Sequence, residues 1–362
     1  MPSTIARPVS KSRSATWAAG AILATLPTTA LLADTPPSPR QLPALAASAE
    51  NASVIGVSSG GYMATQLAVA WPERFAGLGV LAAGPWSCAQ GSLGLALGQC
   101  MTTRRGMPDM QALEQRLVGY RERDLVGEAE ALESLRVYVW HGGADEVVEP
   151  RLGGALVEQF RGWLSDPSQL QWRQDADVGH GWPVDATLGQ ADDGALADCR
   201  DAGPPHLLAC DSDIAGDALN WLHGDLTPPA DGEAAGELRR FDQGDYDARG
   251  LADTGYLFVP EGCEEGGCEV SMALHGCGMA AEQIGDTFVS HTGLNAWAAE
   301  NRRIVIYPQT ETRLGNPQAC WDWWGYAEST WQLDPMHDSR QGTQTRALMA
   351  MLERLQEALP SR

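Results

Sequence analysis

The sequence predicts an α/β fold whose mostly parallel sheet is covered by helices on both faces. Short apolar runs typical of buried strands alternate along the chain with longer helical patterns. The segment 135–140 (LRVYVW) is rich in β-branched and aromatic residues, which favours a core strand. Another short apolar run, 53–57, leads through a glycine-rich turn directly into a helical pattern.

The predicted elements follow one another in the order that such a sheet requires. We predict strands over 53–57, 78–82, 135–140, 256–259, 270–274 and 304–307. Helical patterns cover 62–70, 109–133, 152–164, 292–300 and 341–358. One α/β domain, 51–362, is expected, with an Asp-, Gly-, Ala- and Pro-rich surface excursion at 186–236 that includes a helical patch near 214–223.

The first 33 residues have the pattern of a secretory signal peptide. Three basic residues precede an apolar stretch that ends in small residues at Ala33. The alternative is a membrane anchor, but Pro27 interrupts the run and leaves it short for a bilayer span. We therefore expect a protein that is periplasmic or secreted, with no membrane association after cleavage, and an N-terminal arm over 34–50.

The chain is strongly acidic. Its formal net charge is −22, and removal of the three basic residues of the signal segment takes it to −25. Such a surface repels nucleic acid and anionic lipid, so neither is expected as a partner. The same field disfavours a polyanionic substrate.

Eight cysteines in an exported chain predict disulfides. Eight cysteines allow about a hundred connectivities, so the pairing rests on sequence proximity alone. No C-x-x-C pair and no histidine cluster competes as a metal site, and neither a metal nor a cofactor is expected. Proximity suggests Cys88–Cys100, Cys199–Cys210, Cys263–Cys268 and, as the remaining long-range pair, Cys277–Cys320.

The sharpest local motif is Gly56-Val57-Ser58-Ser59-Gly60. A G-x-S-x-G that follows a short strand and opens a helix is a nucleophile elbow, in which a tight turn presents the serine at the end of the strand. The alternative is an ordinary glycine turn. The strand before the motif and the helix after it favour the elbow, with Ser58 as the nucleophile.

A serine nucleophile needs a base, and the base needs an orienting carboxylate. The chain order expected after such an elbow is serine, acid, histidine. Asp145 follows the LRVYVW strand, at the end where an α/β sheet places functional residues, and His180 lies between two glycines in a later loop. We predict Asp145 as the orienting residue and His180 as the base, with Glu146 or Asp177 as alternative orienting carboxylates.

An oxyanion hole requires two N–H donors. One is expected from the backbone of Ser59, directly after the nucleophile. The second normally comes from a loop that precedes the elbow in the chain, but here the matching segment, LHGCGM at 274–279, follows the histidine. This order indicates a circular permutation, which domains tolerate when their original termini lie close together.

The sequence resembles the circularly permuted, single-domain polyhydroxybutyrate (PHB) depolymerases of the fungal extracellular type, within the α/β-hydrolase superfamily. The resemblance covers about 50–355 and implies hydrolysis of short-chain polyhydroxyalkanoate esters through an acyl-enzyme. It implies the triad Ser58, Asp145 and His180, and an oxyanion hole made by the N–H groups of Ser59 and Cys277. Five separated segments carry it: GVSSGGYMATQLAVAWPERFAG, HGGADEVV, VGHGWP, LHGCGM and NPQACWDWWGY.

Tryptophans near the predicted site are candidate contacts for a water-insoluble polyester, which binds through burial of apolar surface. The alternative for each is packing within the core or a loop. Trp182 follows the histidine loop, and a cluster near Cys320 contains Trp321, Trp323, Trp324 and Trp331.

Other functions share this machinery. Feruloyl and acetylxylan esterases and poly(aspartic acid) hydrolases are the alternative enzymes, and the acidic charge argues against polyaspartate. A secreted binding protein that reuses the scaffold is disfavoured by the complete set of serine, aspartate and histidine. Nothing in the sequence predicts the oligomeric state.

Overall fold

The structure is a computed structural model that describes residues 40–185, 195–201, 203–230, 234–328 and 334–360. Residues Pro39–Arg362 group into one compact unit. The signal peptide expected at 1–33 lies outside the described residues, so it stays a prediction.

The core of this unit is a mostly parallel sheet. In the described residues the strands are β1 (Arg40–Gln41), β2 (Ser53–Val57), β3 (Gly77–Leu81), β4 (Arg136–Gly142), β5 (Leu170–Asp175), β6 (Trp182–Val184), β7 (Ala197–Asp198), β8 (Leu207–Ala209), β9 (Gly236–Asp242), β10 (Thr254–Pro260), β11 (Glu269–Leu274) and β12 (Arg303–Tyr307). The main sheet has the order β1-β9-β10-β12-β11-β2-β3-β4-β5, and β6-β8-β7 form a small second sheet. Strand β10 runs antiparallel to β9 and β12, whereas β12, β11, β2, β3, β4 and β5 are parallel.

Helices cover both faces of the sheet. The α-helices among the described residues are α1 (Ser59–Ala70), α2 (Leu93–Leu95), α3 (Met110–Arg121), α4 (Ala129–Glu133), α5 (Pro150–Trp163), α6 (Ile214–His223), α7 (Ala281–Ile284), α8 (Thr287–His291), α9 (Leu294–Glu300) and α10 (Thr343–Gln356). Successive strand residues point to opposite faces, so Val54 joins the core that contains Leu67 of α1, and Ile55 joins the core that contains Leu219 of α6. Because both faces are buried, the central strands are almost entirely apolar.

The sheet order confirms the circular permutation. Strand β11 comes late in the chain but pairs in parallel with β2, with Ala273 opposite Ile55. The loop after β11 therefore lies beside the end of β2. In an unpermuted chain the same loop would precede the elbow in the sequence, whereas here it follows the elbow. The predicted fold class is confirmed.

The prediction of a surface excursion at 186–236 is wrong for the helix that this segment contains. Helix α6 buries Ile214, Ala218, Leu219 and Leu222 against β3 and β4, so it belongs to the core. These residues recur at the spacing of one helix face, and the surrounding acidic composition obscures that pattern. The helix expected over 109–133 divides into α3 and α4.

The N-terminal arm expected at 34–50 is described from residue 40 onward. Its first residues form β1, which pairs in parallel with β9. Leu42 and Leu45 are buried, and the N–H groups of Leu45 and Ala47 both donate to the carbonyl oxygen of Leu355 in α10. The arm therefore packs onto the catalytic unit.

Four disulfides connect the described residues. They are Cys88–Cys100, Cys199–Cys210, Cys263–Cys268 and Cys277–Cys320, the same pairs that sequence proximity suggests. In this part of the chain no helix has the length and apolar character needed to cross a membrane.

Candidate active site

Ser58 lies at a sharp turn between β2 and α1. Its backbone has φ 56° and ψ −121°, a conformation that costs energy for a residue with a side chain. A Cβ at Gly56 would lie 2.1 Å from the carbonyl oxygen of Gly60, and a Cβ at Gly60 would lie 2.2 Å from that of Leu274. Both positions exclude side chains, so the turn closes tightly and presents Ser58 at the carboxyl end of the sheet.

A continuous hydrogen-bonded chain joins Ser58, His180 and Asp145. Ser58 Oγ lies 2.9 Å from His180 Nε2, and His180 Nδ1 lies 2.7 Å from Asp145 Oδ2. A carboxylate accepts and does not donate, so Nδ1 carries the imidazole proton and Nε2 is left to accept the proton of Ser58. The structure thus brings together the three residues that the sequence predicts as a triad.

The loops that carry Asp145 and His180 are tied to each other. The N–H of Ala144 donates to the carbonyl oxygen of Val178 at 2.9 Å. A Cβ at Gly142 would lie 2.3 Å from the same oxygen, so the glycine permits this close approach. The two loops leave adjacent parallel strands, β4 and β5, and this contact sets the distance between the carboxylate and the imidazole.

Asp145 is buried and remains ionised. Its Oδ1 accepts hydrogen bonds from the N–H groups of Val147 at 2.9 Å and Val148 at 2.8 Å. Burial alone would raise the pKa of Asp145, but the imidazoles of His180 and His141 hold this pKa well below its usual range. His141 carries no sequence signal of this role beyond its place in the HGGADEVV segment.

The alternative orienting carboxylates lie elsewhere. Glu146 is exposed, and Asp177 pairs with Arg200 at 2.9 Å with most of its side chain in solvent. Neither replaces Asp145 as the hydrogen-bond partner of His180 Nδ1. A cavity of about 500 Å³ opens beside the histidine and is lined by Gly143, Ala144, Asp145, Glu146, Val147, His180, Arg200 and Asp201.

The loop after β11 lies directly against the elbow. A Cβ at Gly276 would lie 3.2 Å from the Cβ of Ser58. Ser59 is the first residue of α1, so its N–H has no acceptor within the helix. Cys277 is bridged to Cys320 in the tryptophan-rich segment. The structure places both expected N–H donors in segments that flank the nucleophile, and their role as an oxyanion hole stays a prediction.

His275 holds this loop in place through hydrogen bonds. Its Nδ1 donates to the carbonyl oxygen of Gly276 at 2.8 Å, and its Nε2 accepts from the N–H of Thr310 at 3.3 Å. Its own carbonyl oxygen accepts from Trp321 Nε1 at 3.0 Å. Burial lowers the pKa of His275 to about 4, so the imidazole is neutral at neutral pH and acts as a fixed structural bridge.

Burial contradicts the assignment of Trp182 and Trp323 to substrate binding. Trp182 is fully buried and donates from Nε1 to a backbone oxygen in the core. Trp323 is buried and stacks on Tyr62, with ring centroids 4.5 Å apart. Trp324 is partly exposed, so its contact with substrate stays a prediction, and Trp331 lies outside the described residues.

No cation site accompanies this arrangement in the described ranges, where no three histidine, cysteine, aspartate or glutamate side chains are grouped to hold a metal ion. All the cysteines are in disulfides.

The fold and the site together define a serine-type ester hydrolase of the α/β-hydrolase class. No family model matches the chain. A curated PHB depolymerase from Talaromyces funiculosus is 33% identical over 79% of this chain and 85% of its own length. A poly(3-hydroxybutyrate) depolymerase from Delftia acidovorans is 32% identical over 87% of this chain, which spans 61% of that longer relative.

Solved structures agree with these relatives. The crystal structure of the PHB depolymerase from Penicillium funiculosum has a TM-score of 0.79 and 30% identity, covering 88% of this chain and all of that one. A serine-to-alanine variant of a PHB depolymerase, complexed with an R3HB trimer, has the same TM-score and coverage at 29% identity. The chain belongs to the PHB depolymerase family.

Proposed function

We propose that the protein hydrolyses poly(3-hydroxybutyrate) or related short-chain polyhydroxyalkanoate esters, with Ser58 as nucleophile, His180 as base and Asp145 as the orienting carboxylate. The observation that carries the proposal is the unbroken chain from Ser58 Oγ through His180 to Asp145. An ordinary glycine turn does not require a serine in a costly backbone conformation. Nor does it require that this serine contact a histidine that a buried carboxylate orients.

The reaction proceeds in two acyl transfers. His180 Nε2 takes the proton of Ser58 as Oγ attacks the ester carbonyl, and the resulting imidazolium is stabilised by Asp145. The N–H groups of Ser59 and Cys277 bind the oxyanion as it forms. His180 then protonates the leaving alkoxide, and a water activated by the same imidazole releases the hydroxyacid and restores Ser58.

Charge supports an uncharged polymer as the substrate. The net charge of −22 disfavours polyaspartate, whereas a neutral polyester is not repelled. Between Phe75 and Thr103 the chain has no charged side chain. Leu93 and Leu97 within this stretch are about half exposed, at 50% and 53%, and provide apolar surface of the kind that an insoluble polyester requires.

The uncharged stretch also borders the catalytic loops. The Tyr62 hydroxyl in α1 donates to the carbonyl oxygen of Cys100, and the N–H of Glu149, shortly after Asp145, donates to that of Met101 at 2.9 Å. The end of this stretch therefore contacts the helix that follows Ser58 and the segment that follows Asp145, and we infer that a polymer chain held on the stretch reaches the triad. We also infer that the protein works outside the cytoplasm, which the disulfides support because such bonds persist in oxidising compartments.

The test is clearing of a PHB suspension by the purified protein and by its Ser58→Ala variant. We expect clearing by the wild type only, because the variant lacks the nucleophile. A variant that clears at the wild-type rate contradicts the assignment of Ser58. If neither protein clears the suspension but the wild type hydrolyses p-nitrophenyl butyrate, the polymer assignment is wrong and feruloyl or acetyl esters become the substrates to compare.

A further inference from the structure

A second histidine lies on the far side of the Asp145 carboxylate. His141, near the end of β4, is fully buried. Its Nε2 lies 2.8 Å from the carbonyl oxygen of Val148 and 3.2 Å from Asp145 Oδ2. Both oxygens are acceptors, so Nε2 carries the ring proton, which is donated to the Val148 carbonyl oxygen and lies close to the Asp145 carboxylate.

The other ring nitrogen of His141 shows which tautomer is present. Nδ1 is buried and has no hydrogen-bond partner among the residues described. It faces Gly153 of α5, where a Cβ would lie 2.5 Å from Nδ1. A proton on Nδ1 would have no acceptor there, so the geometry places the ring proton on Nε2. Because residue 153 is a glycine, there is space for the His141 ring in this orientation.

The carboxylate of Asp145 is thereby constrained on both oxygens. Oδ1 accepts from two backbone N–H groups of the following loop. Oδ2 accepts from His180 Nδ1 at 2.7 Å and is contacted by His141 Nε2 at 3.2 Å. Rotation of the carboxylate would break these contacts in a buried environment, where unmade hydrogen bonds are costly.

We propose that His141 is a positioning residue of the triad, which holds Asp145 Oδ2 toward His180 and takes up part of the carboxylate charge through its Nε2–H. The proposal rests on the proposed roles of Ser58, Asp145 and His180. His141 does not contact the reacting atoms, and it acts through the basicity of His180: a carboxylate that shares its charge with a second donor stabilises the His180 imidazolium less.

Other charged and titratable groups surround the pair at longer range. They are Tyr62 in α1, Glu146 in the loop after β4, His206 against the His180 ring, and Arg200 and Asp201 across the cavity. None of these is changed by a substitution at His141. A change in the pH profile of a His141 variant therefore reports on the link through Asp145.

The experiment compares the pH dependence of kcat/KM for p-nitrophenyl butyrate in the wild type, His141→Phe and His141→Gln. Phenylalanine keeps a ring in the pocket and removes the donor, whereas the glutamine amide retains an N–H near the position of Nε2. We expect His141→Phe to lower kcat by about 10- to 100-fold with KM little changed, because the Asp145 carboxylate is no longer held toward His180 and a misplacement of about 1 Å costs on the order of 100-fold in rate. Its acid limb moves to higher pH because the His180 imidazolium is better stabilised, and His141→Gln restores most of both changes.

An acid limb in His141→Phe that coincides with the wild-type limb overturns the proposal, even if the rate falls. Wild-type kinetics in that variant overturn it as well. If His141→Phe does not give a wild-type circular dichroism spectrum, His141→Asn serves instead, because its shorter amide does not reach Oδ2. Ser58→Ala in the same assay distinguishes failure of the proposed triad from failure of the positioning role. Ester hydrolysis that survives this substitution overturns the triad. Hydrolysis that requires Ser58 but does not change in the His141 variants overturns only the positioning role.

Discussion

Replacement of Gly60 by alanine tests whether the contact between the elbow and the loop after β11 determines catalysis. The new Cβ would lie 2.2 Å from the carbonyl oxygen of Leu274 and 2.4 Å from that of His275. Ordinary contacts of this kind begin at 3.4 Å, so the two segments must separate by about 1 Å. Both neighbours are backbone atoms, and no side chain is able to swing away to relieve the clash.

The separation has two measurable effects. Overpacking of this kind lowers the free energy of unfolding by about 1–3 kcal/mol. It also moves the N–H of Cys277 away from Ser58, and a misplacement of about 1 Å costs on the order of 100-fold in rate. We therefore expect Gly60→Ala to reduce kcat for p-nitrophenyl butyrate by about that factor, measured beside urea unfolding.

Gly119→Ala is the matched control. Gly119 also lies in a helix, α3, but a Cβ there would have no heavy atom within 4 Å. Alanine is favoured over glycine inside a helix by up to about 1 kcal/mol, so we expect slightly higher stability and unchanged activity. A Gly60→Ala protein with kcat within about threefold of the wild type would refute the reasoning, because the elbow and the oxyanion loop would then be independent.

Two further predictions concern stability. The chain-entropy model assigns about 4 kcal/mol to the Cys277–Cys320 bridge, which spans 43 residues, and about 2 kcal/mol to Cys263–Cys268, which spans 5. Replacing each pair by alanine should reproduce that ranking in urea unfolding, and equal losses would contradict it. His275 is buried with its pKa lowered to about 4 from 6.5, so the unfolded chain takes up its proton first as the pH falls. The contribution of the neutral His275 side chain to the free energy of unfolding is complete above about pH 6.5 and declines toward pH 4. The loss of stability between pH 7 and pH 5 should therefore be smaller by about 2 kcal/mol in His275→Asn, and an unchanged loss would refute this role.

The central strands and the elbow could be predicted because their residues encode them locally. Strand β3 lies between two parallel neighbours, so both of its faces are apolar and the run is visible in the sequence. The turn at Ser58 requires glycines at fixed distances before and after it, and a strand and a helix on either side. These requirements are met by adjacent residues and need no knowledge of the rest of the chain.

The edge of the sheet could not be predicted in this way. Strand β5 (LQWRQD) lies at one edge, and β9 (GELRRFD) lies near the other beside the short β1. Both carry charged residues because part of their surface meets solvent, and their polar patterns resemble loops. Hydrogen bonding to β4 makes β5 a strand, and hydrogen bonding to β10 makes β9 a strand, so each depends on a partner outside its own residues.

Burial was the other property that the sequence did not contain. The sequence does not distinguish a tryptophan in the core from one on the surface. Trp182 and Trp323 were therefore candidates for substrate binding, and only the structure shows that both are buried. The apolar face of α6 was obscured by acidic neighbours in the same way. His141 reads as a loop histidine until the fold brings its Nε2 to Asp145.

The sequence by itself therefore determined the fold class, the permuted order and the identities of Ser58, Asp145 and His180 as candidate catalytic residues. Each of these rests on short-range patterns: a tight turn, a strand followed by a loop, and a motif order along the chain. The tertiary structure alone decided the 2.7 Å and 2.9 Å contacts of the triad, the burial of the tryptophans and the contact of His141 with Asp145. These depend on which residues meet across the sheet, and such long-range contacts are set by the packing of the whole domain.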